Sequence, residues 1–339
     1  MTAQLQCGPH LVLSGRNYDV VRTLSHRQGR IIILVQNSAR RFPTVLKAVP
    51  VVPIGEESAR CEPRVQAFCA HPNVVSVFDD VLFRFHMFIE MEYASSGSLF
   101  DVITKRFVSV VEAVDYVKQI LCALGAMHER GIVHRDVGVE NMMVFGSTVK
   151  LSDFGNALNL GTGKMVSDYV YAPYAPPEVT GHGGFGPSSD VYSVGLALLR
   201  MVNNQVEFHT RMTEVRNQMQ GESSRGSVED FIPVNPYVPE VIRSIIRRAL
   251  SANPADRYRT AAEMRDDLER VRPLRNWRLT GKDRWQCVSG GRPETIEILP
   301  GLMPVIRSTL GGKSNELVFA NSAKARVHLN TVVSKTTLR

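Results

Sequence analysis

The sequence predicts an α+β protein of two lobes, a small β-rich one followed by a larger helical one, with a basic C-terminal extension. Three observations point there. Up to Glu92 the apolar residues gather in short β-branched runs bounded by turn residues. From Leu99 onward they recur at helical spacing. After Arg272-Pro273 that period stops, and short apolar segments alternate with Gly and Pro. A chain of 339 residues with 44% apolar side chains is also long enough to build more than one small core.

Four stretches follow in order: an N-terminal segment at 1–17, the β-rich lobe at 18–92, the helical lobe at 93–273 and the extension at 274–339. In the first lobe Ile31 to Val35, Thr44 to Val52, Val74 to Phe78 and Met87 to Met91 read as strands, with one short helix near Glu62 to Ala70. In the second, Val110 to His128 sets Val114, Val117, Ile120, Leu121 and Leu124 on one face of a long helix. Ser189 to Val202, Pro239 to Ala252 and Thr260 to Val271 are further helices. In the extension, Thr295 to Leu299, Glu316 to Phe319 and Arg326 to Leu329 read either as a few small strands or as partly unfolded chain.

Composition excludes several classes. Even the longest apolar runs, Ile31 to Val35 and Val191 to Leu199, fall far short of the roughly 20 residues of a membrane span, so no membrane association is expected. The first nine residues do not lead from a basic stretch into an apolar one, as a secretory signal would. Five scattered cysteines without a close pair argue against a disulfide framework or a zinc site and favour a reducing, cytoplasmic setting. The net charge of +7 lies wholly in the extension, where 11 Lys and Arg face 4 Asp and Glu.

The chemistry centres on His134-Arg135-Asp136, Asn141 five residues beyond the aspartate, and Asp153-Phe154-Gly155 twelve residues further on. These two motifs at this spacing closely resemble the catalytic and metal-binding loops of the eukaryotic-type (Hanks-type) protein kinase superfamily. The resemblance implies a bilobal fold, ATP and Mg2+ as cofactors, and transfer of the γ-phosphate to hydroxyls of a protein substrate. Phosphoryl transfer passes through a loose transition state, so such a site needs positioning and positive charge more than a covalent nucleophile. By resemblance Asp136 accepts the proton of the attacking hydroxyl, and Asn141 and Asp153 are hard oxygen ligands for magnesium.

Other landmarks extend the likeness. Val45-Leu46-Lys47 resembles the family's lysine strand, whose ammonium meets the α- and β-phosphates. Its glutamate partner, counted back from His71-Pro72-Asn73-Val74, falls at Glu62. Pro63 follows at once, and proline suits only the first helical turn. The helix is therefore expected to begin near Cys61, with Glu56 or Glu57 as the partner if it begins earlier. Met91-Glu92-Tyr93-Ala94 resembles the hinge between lobes, where main-chain groups of Glu92 and Ala94 would meet the adenine edge and Met91 would guard the pocket behind. Leu24, Ile32 and Val45 above and Met143 below would sandwich the purine. Downstream, Tyr174-Ala175-Pro176-Pro177-Glu178 resembles the end of the activation segment, Asp190 begins the helix that anchors the catalytic loop, and Arg257 would pair with Glu178.

The sequence also departs from the family. Where three glycines should let backbone amides approach phosphate, the alignment sets Ser25, Arg27 and Arg30, with Gly29 at the usual aromatic. Either Arg27 or Arg30 reaches phosphate through its guanidinium, or the segment is a solvated turn with weaker nucleotide affinity. Gly138 stands where serine/threonine kinases carry a lysine that steadies the γ-phosphate, and Tyr171 where they carry a threonine. No arginine near Asn141 marks a tyrosine kinase either, so serine and threonine acceptors are expected. Arg135 beside the base suggests control by phosphate on Thr162, Ser167, Tyr169 or Tyr171. The competing class is a pseudokinase, a fold that works as a scaffold. The extension holds both tryptophans, Trp277 and Trp285, with arginines between them. Such a stretch is a packed hairpin with solvated charges, or else binds an acidic partner or nucleic acid.

Overall fold

The structure, a computed structural model, describes residues 9–27, 30–52, 55–163, 174–180, 184–219 and 228–338. The first lobe is a six-stranded antiparallel sheet in the order β1-β2-β3-β4-β6-β5. Its strands are β1 (His10–Leu13), β2 (Arg16–Arg27), β3 (Arg30–Asn37), β4 (Thr44–Pro50), β5 (Val77–Phe83) and β6 (His86–Glu92). The sheet therefore starts before Tyr18, because His10 to Leu13 pairs with Arg16 to Asp19 across a tight turn at Ser14-Gly15. The expected strand at Val74 to Phe78 lies further on, at Val77–Phe83.

Side-chain alternation along β3 and β4 divides this sheet into two faces. Ile31, Ile33, Val35, Leu46 and Ala48 fill a core with Tyr18 and Phe88 on the outer face. The opposite face presents Val45 and Val49, packed with Met87, Ile89 and Met91 and with the partly buried Leu24, Ile32 and Met143. Met143 comes from the second lobe, so this face closes the cleft between lobes.

Helix α1 (Glu56–Phe68) begins five residues before Cys61, where the proline rule placed its start, and carries Pro63 in its interior. An interior proline costs a helix roughly 3 kcal/mol. The helix continues through it because Glu62 is drawn into a buried pair described below. Glu56 and Glu57 bond Arg60 and Arg64 and take no part in that pair.

The second lobe follows with α2 (Leu99–Lys105) and α3 (Val110–Glu129), each opened by a capping box, Ser98 with Asp101 and Ser109 with Glu112. The short strands β7 (Ile132–Val133), β8 (Met142–Phe145), β9 (Thr148–Leu151) and β10 (Leu158–Asn159) pair as β8 with β9 and β7 with β10, and frame the catalytic loops. Then come α4 (Pro187–Asn203), α5 (Phe208–Met219), α6 (Val228–Phe231), α7 (Glu240–Ala249) and α8 (Ala261–Glu269). One continuous apolar core joins α3, α4, α7 and α8. Gly195 permits the close approach of α4 to α7, since a Cβ there would lie 2.8 Å from the Ala249 Cβ.

The extension is folded. Strands β11 (Arg278–Gly281), β12 (Arg284–Ser289), β13 (Arg292–Leu299), β14 (Val305–Leu310) and β15 (Lys313–Val318) form a five-stranded antiparallel meander, covered by α9 (Ser322–Thr337). The segment Arg326 to Leu329, read as a strand or loose chain, is helical. Ala325, Leu329, Val333 and Thr337 recur every fourth residue and are buried. Trp277 and Trp285 lie in the core of this unit at 2% and 3% exposure, so neither ring is free to stack a base. Trp285 packs edge-on against Phe107 and at 4.7 Å from Tyr237, both of the helical lobe. No helix among the described residues is long and apolar enough to cross a membrane.

Candidate active site

The site is built where β4, α1 and the two catalytic loops meet. Lys47 projects from β4 on the cleft face, beside Ile32 in register. Its Nζ donates to Glu62 Oε1 at 2.5 Å and to Asp153 Oδ1 at 2.8 Å. Lys47 and Glu62 are each only 3% exposed. Burial alone would lower the Lys47 ammonium, but the Asp153 and Glu62 carboxylates outweigh it and hold its pKa above the ordinary value. Burial would likewise raise Asp153, yet the Lys47 charge and hydrogen bond, together with the Arg30 charge, hold it well below the usual carboxylate range.

Both catalytic loops carry a residue in the left-handed region, Arg135 at φ 68° and Asp153 at φ 63°. Such backbone costs on the order of 1–3 kcal/mol and persists where surrounding bonds enforce it. For the first loop the enforcing group is Asp190, fully buried on α4. It accepts from the backbone N–H of His134 at 2.8 Å and of Arg135 at 2.9 Å, while His128 Nε2 lies 2.8 Å away. For the second, the Asp153 carboxylate accepts from the Gly155 N–H. The loops are stitched together by Ser152, whose N–H and hydroxyl both donate to the Asn141 carbonyl.

Asp136 sits between them. Its carboxylate accepts from Asn156 Nδ2 at 3.2 Å, and Asn141 Nδ2 donates to its backbone carbonyl at 2.9 Å. Burial first, and then the Asp153 charge, push the Asp136 carboxyl up to about 7, against the lowering hydrogen bonds. A proton acceptor titrating near neutrality suits general-base chemistry. Because Asn141 spends its amide nitrogen on Asp136, its amide oxygen is the end left for a ligand. That oxygen and the Asp153 carboxylate are hard donors, and magnesium commonly takes one or two protein ligands beside phosphate oxygens. The donor set fits the ion. No cluster of three or more His, Cys, Asp or Glu suited to a metal occurs among the described residues.

The structure gathers Leu24, Ile32, Val45, Met91 and Met143 into one apolar cluster in the cleft. Gln66 of α1 reaches the Met91 sulfur at 3.8 Å. Glu92, at the end of β6, is fixed by Lys150 at 2.8 Å and by the Ser76 N–H, and Ala94 beyond it is buried. Glu178 takes two 2.8 Å bonds from Arg257.

Gly138, where the resemblance expects a lysine, has no room for a side chain. A Cβ there would stand 2.9 Å from the Tyr174 ring and 3.0 Å from Glu140 Oε2. Tyr174 is held in place by Arg200 at 2.7 Å, and Arg200 also binds Glu140 at 2.6 Å. Arg135 stacks over the Phe185 ring at 4.3 Å. Of the candidate phosphorylation sites, Thr162 lies in an exposed turn, while Ser167, Tyr169 and Tyr171 lie outside the described residues, as does Gly29.

Two features escaped the sequence reading. Asn156 contacts Asp136 but follows Asp153-Phe154-Gly155 as an ordinary polar residue. Glu90, buried in the first lobe, binds Tyr18, Asn37, Arg40 and Thr44. Its position inside a β run was the only signal.

Comparison with known proteins agrees with this geometry. The family model for the protein kinase domain matches residues 29–267. The serine/threonine-protein kinase PknL of Mycobacterium bovis is 30% identical over 240 residues, covering 68% of this chain and 59% of the relative. The serine/threonine-protein kinase SIK1 of Rattus norvegicus is 27% identical over 256 residues, covering 73% of this chain and 32% of the relative. A probable serine/threonine-protein kinase PknB of Lactococcus lactis is 27% identical over 212 residues, covering 59% of this chain and 32% of the relative. The chain thus spans between about a third and three fifths of the length of these relatives. The matched stretch takes in Lys47, Glu62, Asp136, Asn141 and Asp153 together, and the chain belongs to the protein kinase domain family.

Proposed function

We propose that this chain is an ATP- and magnesium-dependent protein kinase that phosphorylates serine or threonine hydroxyls of protein substrates. The observation that carries the reading is the contact of Lys47 with both Glu62 and Asp153, which ties the two lobes around one cleft. Lys47 would hold phosphate oxygens, kept in place by Glu62. Asn141 and Asp153 would hold magnesium, which when bound neutralises charge on the phosphates and leaves the terminal one open to attack. Asp136 would orient the acceptor hydroxyl and take its proton, steadied by Asn156. The cluster of Leu24, Ile32, Val45, Met91 and Met143 offers the purine an apolar slot, with Glu92 and Ala94 at its edge.

The relatives' names support serine and threonine as acceptors. Cys61, Cys69, Cys122 and Cys287 are free thiols, which supports the cytoplasm as the setting. The test is label transfer from γ-labelled ATP and magnesium to a mixed protein substrate, followed by phosphoamino-acid analysis. Asp136→Asn should lower the rate about a hundredfold or more. Equal background label from both proteins would instead indicate a scaffold, and phosphotyrosine alone would overturn the acceptor assignment.

A further inference from the structure

Two phosphate-holding devices of the family are missing from this cleft. The hairpin joining β2 and β3 carries Ser25, Arg27 and Arg30 at the positions where glycines would bring amides to phosphate, and Gly138 together with Tyr174 leaves no space for a lysine beside Asp136. A triphosphate in such a cleft would meet Lys47, but Lys47 is already neutralised by Glu62 at 2.5 Å. The charge balance near the transferred group therefore calls for another cation.

Arg30 stands where one is needed. It is the first residue of β3, and it shares the cleft face with Ile32 by alternation along the strand, Ile32 being the register partner of Lys47. Its side chain is half-buried and reaches down to the floor of the cleft. Arg30 Nη1 lies 3.7 Å from the position a Cβ would occupy on Gly155, the residue that also donates to the Asp153 carboxylate. Arg30 and Lys47 thus both act on Asp153, Lys47 through a hydrogen bond and Arg30 through its charge.

We infer that Arg30 is a phosphate-binding residue of this enzyme, a guanidinium lowered from the first lobe onto the terminal phosphates of ATP in place of the loop amides and of the missing lysine. A guanidinium presents a planar fork of donors that matches phosphate oxygens two at a time. The Arg30 charge acts on the Asp153 carboxylate without a direct bond to it, which leaves the donor fork available to phosphate oxygens beside that carboxylate. This inference rests on the kinase reading above.

The test is direct binding to the full chain of magnesium with a non-hydrolysable ATP analogue, and separately of adenosine, by calorimetry. Arg30→Ala should weaken the triphosphate about tenfold or more and leave adenosine within about twofold, since only the former loses a charge-assisted contact. Arg30→Lys should fall between, keeping the charge and losing the fork. Triphosphate binding by Arg30→Ala as tight as that of the wild type, or tighter, would overturn the inference and make Arg30 a plug over Asp153. Equal loss for both ligands would overturn it too, marking a damaged hairpin. The failures are separable: a wild type that binds as described but transfers no phosphate sinks the kinase reading alone. A wild type that transfers phosphate with no dependence of binding on Arg30 sinks this inference alone. Binding of neither probe sinks both.

Discussion

At the scale of single residues, ionised side chains are placed where burial forces them to pair. Glu90 shows the energetics most plainly, because it lies on the face of the sheet turned away from the cleft, bonded to Tyr18 of the outer core. Burial would raise its pKa, but hydrogen bonds from Asn37 and Thr44 and the Arg40 charge lower it below the ordinary 4.5. A group whose folded pKa is depressed adds stability that is complete above its unfolded value and is lost as pH falls through the folded one. Glu90→Gln should therefore cost about 2 kcal/mol at neutral pH. In urea melts the gap between wild type and variant should close in acid, below the ordinary 4.5. A gap that stays constant with pH would contradict the charge-based account. The same residue marks the limit of sequence reading. Lys47, Glu62 and Asp153, which meet in the fold, were legible because they stand in motifs that resemble those of the protein kinase family. Glu90 and Asn156 were not, because a lone polar residue declares its partners only once the chain is folded.

At the scale of elements, local rules held until tertiary contacts outweighed them. The capping boxes at Ser98 and Ser109 are local devices, closed by side chains three residues apart. Helix α1 does not follow a local rule: Pro63 argued for a start near Cys61, yet the Lys47–Glu62 pair carries the helix through it. Helix α9 was missed for the opposite reason. Its β-branched residues, Val327, Thr331, Val332 and Val333 among them, imitate a strand, and only packing on the meander selects the four-residue repeat. Helices α4 and α7 meet at Gly195, where a methyl group would press on the Ala249 Cβ and Leu250. Gly195→Ala should destabilise by about 1–3 kcal/mol despite the better helix propensity of alanine. A stabilised variant in chemical denaturation would show that the helices slide apart freely.

At the scale of the whole molecule, three packed units share surfaces. The extension seemed separable in sequence because its charge and composition differ from the rest. In the fold its Trp285 fills a pocket made by Phe107 and Tyr237, and Arg278 bonds Glu112 at 3.2 Å on the capping turn of α3. Truncation after residue 273 would leave those aromatic faces in water, and should lower the melting midpoint by about 5 °C or more and promote aggregation. An unchanged midpoint would mean that the extension is an independent attachment.

The cleft itself is tested most directly by separating nucleotide binding from transfer in one pair of proteins. Wild type and Asp136→Asn would be compared for affinity toward magnesium and a non-hydrolysable ATP analogue, and for single-turnover transfer of labelled phosphate to a protein acceptor. Matched affinities with transfer lost only in the variant are expected on the proposed reading, in which Asp136 acts on the acceptor hydroxyl while Lys47, Asn141 and Asp153 hold the nucleotide. Matched affinities with equal transfer would remove Asp136 from the chemistry and contradict the mechanism derived from this site.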